Sequence, residues 1–156
     1  MSRIAIIQVR GPIGLKKPVK DTLTMLNLHR KNSCVIIKTN PSNVGMLTIV
    51  KDYITWGELD KETLKELLQK RGRVVGDKLL TEDYLKEKLK LSFDDFIEEF
   101  MKLKKELRDV PGLKKYFRLT PPRKGFERGG IKIPFSMGGA LGYRGNKIND
   151  LIKRML

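Results

Sequence analysis

Three groups of residues in this 156-residue chain have types and spacings that could do chemistry: a glycine loop followed by lysines, a histidine near a cysteine, and paired carboxylates. The first is GPIGLKK, in which Gly11 and Gly14 precede Lys16, Lys17 and, slightly further on, Lys20. Glycine lets an anion approach the backbone closely, and a helix start offers unpaired N–H groups at the positive end of its dipole, so such a loop can hold phosphate. A nucleotide-binding loop of the G-x-x-x-x-G-K-[ST] kind, however, needs lysine directly after its second glycine and a hydroxyl after the lysine to meet magnesium. Leu15 and Lys16 stand at those places here and the spacing of the glycines is wrong, so phosphoryl transfer is set aside. The G-x-x-G clamp of some RNA-binding modules joins two helices, whereas GPIG follows a strand-like run, and the match is weak. Both glycines fit a plain strand-to-helix turn equally well, and the two readings are compatible.

His29 and Cys34 are the only residues of their kinds, and they stand five apart. In one continuous strand an odd spacing turns two side chains to opposite faces, which disfavours a Cys–His nucleophile. One histidine and one cysteine cannot make a structural zinc set, and a single cysteine closes no intramolecular disulfide, in keeping with a reducing compartment. Asp94–Asp95 and Glu98–Glu99 lie among bases at helical spacing and read as solvated helix surface rather than an acid–base pair. No catalytic residue, metal or cofactor is expected.

The charge points elsewhere. The chain carries 33 Lys and Arg against 18 Asp and Glu, a net +15, more than solubility needs and favourable to a polyanion partner. Residues 1–57 hold nine bases and two acids, residues 58–115 hold 15 and 14, and residues 116–147 hold seven and one. Two basic regions thus flank a balanced one. No long amphipathic helix opposes an aromatic face to a purely basic one, no run of about 18 apolar residues occurs, and the N-terminus lacks the order of a secretory signal. An intracellular nucleic-acid binder without membrane or small-molecule ligand is the expectation.

Positioning these charges requires elements, and the hydrophobic pattern supplies them. Ile4 to Val9 reads as a buried strand; Pro18 suits a first helical turn that carries Val19, Leu23 and Leu26 along one face; Cys34 to Lys38 reads as a second strand. Asn40 before Pro41 starts a second helix, and YITW is a third strand with Trp56 packed at its end. The resulting β-α-β-α-β order predicts an α+β unit over 1–57 with two helices on one sheet face, marginal at that size without further core. Residues 58–115 supply helices: Leu64, Leu67 and Leu68 follow an Asp60 cap, Gly72 and Gly76 mark a turn, and Phe93, Phe96, Ile97, Phe100, Leu103 and Leu107 follow the S-x-x-D start at Ser92. That phenylalanine stripe reads as core rather than as a base-stacking platform.

Over 116–156 the texture changes. FRLTPPRKGFERGGIKIPFSMGGALGYRGNK holds three prolines and seven glycines and cannot readily build its own core. It must lie on something, and the closing INDLIKRML, with Ile148, Leu151, Ile152 and Met155 on one side, predicts a helix that docks on the body. Arg118, Arg123, Lys124, Arg128, Lys132, Arg144 and Lys147 alternate there with Tyr116, Phe117, Phe126, Phe135 and Tyr143. Arginine makes bidentate phosphate contacts and aromatic rings stack on unpaired bases, so folded RNA suits the segment better than duplex DNA.

Together, RIAIIQVRGPIGLKKPVKDTLTMLNLHRKNSCVIIKTNPSNVGMLTIVKDYI, FRLTPPRKGF and GYRGNKINDLIKRML make the chain resemble the ribosomal protein L-thirty family over nearly its whole length, in the longer archaeal form related to eukaryotic L-seven. The resemblance implies a three-stranded antiparallel sheet with two helices, a helical extension, and a structural role in the large (50S) ribosomal subunit. The partners it implies are 23S ribosomal RNA, the 5S RNA region and neighbouring large-subunit proteins, in the cytoplasm. By position it carries RNA contact to Arg10, Lys16 and Lys17 and to Arg118, Arg123, Lys124 and Arg144. The rival reading is a non-ribosomal nucleic-acid-binding protein or RNA chaperone.

Overall fold

The computed structural model describes residues 2–156. Its centre is strand β1 (Arg3–Gln8), flanked antiparallel by β2 (Ser33–Lys38) and β3 (Ile54–Glu58). All six β1 residues are buried because each face of the sheet is covered. Alternation sends Ile4 and Ile6 to one side, against α1 (Lys17–Met25) and α2 (Pro41–Val50), where Leu23, Leu26, Leu47 and Val50 meet Val35 and Ile54. Ala5 and Ile7 face the other side with Cys34 and Ile36, under helices α3 (Lys61–Arg71), α4 (Glu82–Leu89), α5 (Phe93–Met101) and α6 (Ile148–Met155).

The expected three-stranded sheet is therefore incomplete. Two short edge strands from the C-terminal segment extend it: β4 (Tyr116–Arg118) pairs antiparallel with β2, and β5 (Gly142–Tyr143) pairs parallel with β3, giving the order β4-β2-β1-β3-β5. The mixed α+β character stands, and the helices expected to extend the core do so as a third layer. Phe93, Phe96, Ile97 and Phe100 are buried together with Leu64, Leu67, Leu68 and Phe117, so the phenylalanine stripe is core. The stripe does not run through one helix, since α5 stops at Met101 and Leu103 takes a φ of +63° before Leu107 re-enters the core. Arg3 ties that end down, its guanidinium donating to the carbonyls of Phe100 (3.1 Å) and Lys105 (2.7 Å) while stacking on the Phe100 ring.

Helix α6 docks as its pattern required: Ile148, Leu151, Ile152 and Met155 are all fully buried. Among the described residues no helix is long and apolar enough to cross a membrane.

Candidate nucleic-acid interface

The strand registers bring both basic regions to one end of the sheet. β1 finishes where β2 and β3 begin, and Arg118 at the close of β4 lies opposite Ser33 while Gly142 at the start of β5 lies opposite Thr55. Emerging there, the loop after β1 is held by Val9 and Arg10, whose N–H groups both donate to the Tyr53 carbonyl at 2.9 and 3.1 Å. The Arg10 guanidinium donates to the Asp52 carbonyl (3.3 Å) and lies 4.8 Å from the Tyr53 ring centroid. Gly14, at φ +73°, turns the chain, and nothing lies within 4 Å of where a Cβ would stand at Gly11 or Gly14. Helix α1 then starts with no capping side chain and no acid in its first turn, beside exposed Lys16, Lys17 and Lys20.

The C-terminal segment crosses the same end. It leaves β4, runs past the end of α6 through hydrogen bonds from Thr120 to the Met155 carbonyl and from Arg123 to the Arg154 carbonyl, and folds back over 129–141 before entering β5. Ala140 and Leu141 pack on Val9, with Phe126 and Ile131 against them, so this lobe rests on the root of the glycine loop. Loop and lobe share a cleft of about 300 Å³ lined by Arg10, Gly11, Gly14, Lys31, Tyr53 and Ile131 among others. The glycines of the lobe have a use that composition did not reveal. A Cβ at Gly139 would stand 2.0 Å from the Ile133 carbonyl oxygen, so this glycine admits the chain's own backbone.

Arg144 corrects the sequence-based expectation. Grouped there with the free cations, it is 5% exposed, and its guanidinium is fully engaged inside the protein. Its Nε donates to Thr55 Oγ1 at 2.9 Å, Nη1 to Glu127 Oε1 at 2.8 Å, and Nη2 to Glu127 Oε2 at 3.1 Å and to the Ala140 carbonyl at 2.9 Å. This fork-on-fork pair pins the lobe to β3. Partial burial works to raise the Glu127 carboxyl, but hydrogen bonds from Arg144 and the backbone, with the charges of Arg144 and Arg154, outweigh it and hold the group below the usual glutamate range.

The other ten candidate cations, Arg10, Lys16, Lys17, Lys20, Arg118, Arg123, Lys124, Arg128, Lys132 and Lys147, have no carboxylate partner among the described residues. All are exposed except half-buried Arg10. The balanced middle behaves oppositely, with seven ion pairs between its own residues and an eighth from Glu106 to Lys38. Sequence reasoning overlooked exposed Arg30, Lys31 and Lys51, which precede β2 and β3 at the same end; the run HRK before the second strand was the available signal. Of the aromatic residues, Phe117 is core, Phe126 and Phe135 are half-buried, and Tyr143 is exposed with its hydroxyl donating to Glu58 at 2.6 Å.

His29 and Cys34 do not form a pair. His29 lies in the loop ahead of β2, so strand alternation is not what separates them; His29 is exposed, whereas Cys34 is fully buried with its thiol pushed up to about 12 by desolvation. Among the described residues no group of three or more His, Cys, Asp or Glu side chains is placed to hold a metal ion.

The chain is similar to known proteins over nearly its full length. The family model described as ribosomal protein L30p/L7e matches residues 4–54. The large ribosomal subunit protein uL30 of Methanopyrus kandleri is 48% identical over 149 residues, covering 95% of this chain and 100% of that one. The protein of the same name from Methanococcus vannielii is 51% identical over 152 residues, covering 97% and 98%, and that of Nanoarchaeum equitans 49% over 156 residues, covering 100% of both. With likeness running through the β-α-β-α-β unit, the helical layer and the basic lobe alike, this chain belongs to the ribosomal protein L30p/L7e family.

Proposed function

We propose that this chain is a structural, non-catalytic constituent of the large ribosomal subunit, in the cytoplasm, where the basic end of its sheet holds ribosomal RNA in its folded arrangement. The observation that carries the reading is the division of charge: ten candidate cations lack a carboxylate partner, the glycine loop, Arg118 and the lobe packed on Val9 standing at one end of the sheet, while the acids pair with the helical layer's own bases. Unpaired cations on a rigid frame neutralise phosphates without first breaking an internal ion pair, and they hold register without reading bases. The opening glycine loop then belongs to a nucleic-acid backbone rather than to a nucleotide. Its partners are 23S ribosomal RNA, the 5S RNA region and adjoining large-subunit proteins.

Crosslinking in native extract of the source cells, followed by sequencing of the attached RNA, tests this. Large-subunit ribosomal RNA on peptides from 10–20 and 116–147 is the expected recovery, and scattered messenger RNA or DNA would overturn it in favour of a non-ribosomal binder. With about six phosphates neutralised, the affinity of the purified chain for that RNA falls with salt at a log–log slope of about −4 to −5.

A further inference from the structure

A second aromatic and cationic site lies at the β2–β4 edge of the same end. The chain leaves α1 at Met25, buries Leu26 and Leu28 in the core, and thereby lifts His29 and Arg30 into solvent before β2. Across the edge, Tyr116 and Arg118 are two apart on β4 and so project to one side, opposite Val35 and Ser33. His29, Arg30, Ser33, Tyr116 and Arg118 line a cleft of about 220 Å³. The His29 and Tyr116 rings stand 6.4 Å apart at 87°, forming a corner, and the Arg118 guanidinium carbon lies 5.9 Å from the Tyr116 centroid. Neither His29, Arg30 nor Arg118 has an ionic partner among the described residues, and Asp77, the carboxylate that feels the charge of Arg118, is bonded to Lys114.

We infer that this cleft holds one unpaired RNA nucleotide, its base against the Tyr116 and His29 rings and its phosphate between Arg30 and Arg118. A planar ring laid on one face of the corner presents its edge to the other ring, which no aliphatic ligand can exploit. Two guanidinium groups without carboxylates beside them select a phosphate, for which their planar fork is suited. A base already paired would offer only its edge, so the occupant comes from a loop, bulge or junction. The site therefore adds base capture to the phosphate contacts of the glycine loop, and it rests on the ribosomal RNA reading above.

The test uses the full-length chain with a transcript of the source organism's large-subunit RNA, and in parallel photocrosslinking of native large subunits. Tyr116→Phe keeps the ring and binds within about twofold of the parent, whereas Tyr116→Leu binds about tenfold more weakly, the scale of one base–aromatic stack, with its salt slope unchanged. Arg30→Gln with Arg118→Gln, which together release the one phosphate, lowers the magnitude of the slope by about 0.7 to 0.9. Because Tyr116 also packs against the α1–α2 core, His29→Ala at an exposed position serves as the second variant, weakening binding severalfold with an unaltered melting temperature. A nucleotide adduct on the peptide containing His29 or Tyr116 is expected from the subunits. Tight binding that is indifferent to all these changes, or an adduct to protein instead of RNA, overturns the pocket and leaves the RNA reading standing. Failure of the parent chain to bind the transcript overturns both.

Discussion

Arg144→Met separates a structural arginine from the arginines without carboxylate partners that it resembles in sequence. The substitution removes four hydrogen bonds from a side chain that is 1% exposed. Thr55 keeps a partner, because its hydroxyl donates to the Gly142 carbonyl at 2.9 Å. The buried Ala140 loses its side-chain donor, and Glu127 is left with Arg154 at 3.4 Å. Breaking a buried pair by deleting one partner costs about 3–5 kcal/mol, and partial exposure of Glu127 lets water replace some of the loss, which places this change near the lower end at about 3 kcal/mol. For a chain of this size that is a fall in melting temperature of about 6–12 °C, read by far-ultraviolet circular dichroism on the full chain. Adding Glu127→Leu to Arg144→Met removes the stranded carboxylate and restores part of the loss, whereas Arg144→Lys keeps charge without the fork and falls between. A melting temperature within about 2 °C of the parent, or a double variant no more stable than the single, would refute the assignment of Arg144 as the pin of the lobe.

Neutralising Arg118, Arg123 and Lys124 together to glutamine gives the contrasting result, a salt slope shallower by about 2 to 3 with melting unchanged, since all three are exposed and unpaired. Gly139→Ala forces a Cβ against the Ile133 carbonyl and destabilises the lobe by about 2–3 kcal/mol, seen as faster limited proteolysis within 129–141. Cys34, fully buried with its thiol at about 12, stays silent to an aromatic disulfide reagent until denaturant unfolds the chain; rapid labelling in buffer would mean that the β2–β4 edge opens. Because the folded carboxyl of Glu127 is depressed, its contribution is full above the unfolded value of about 4.3 and is lost as pH falls through the lower folded value, so Glu127→Gln flattens the stability profile in that acid range. An unchanged profile there would assign the acid response to other carboxylates.

What was legible in the sequence follows the range of the interactions involved. Val19, Leu23 and Leu26 on one helical face, the Asn40–Pro41 start, and the apolar run of β1 are local patterns, and each led to the element observed. Strands β4 and β5 are three and two residues long, too short for any period, and exist only because Phe117 meets Cys34 and Gly142 meets Thr55 from distant parts of the chain. The fate of Arg144 was hidden for the same reason, since Thr55 and Ala140 approach it only after folding. One clue was present: Glu127 is the sole acid in 116–147, and a lone acid in a basic run is a candidate partner for one of its arginines. The role of Gly139 was hidden because approach to a phosphate strand and approach to another segment of the same chain leave the same compositional trace.

The balanced middle segment is more than an appended layer. Its ion pairs are mostly exposed, and such pairs add little stability each. Their effect is on the field: with the acids placed beside the bases of α3 to α5, the helical layer over the second sheet face is nearly neutral at long range, and the excess of +15 resides almost entirely in the two outer segments. A chain with the same total spread evenly would attract a polyanion from any side. On the function proposed above, unpaired cations on the glycine loop, the lobe and the β2–β4 edge, near where β1 ends and β2 and β3 begin, give the attraction a direction. Under that proposal the apolar layers and the charge pattern act together, the one holding those three surfaces in fixed relation and the other deciding from which side a polyanion would meet them.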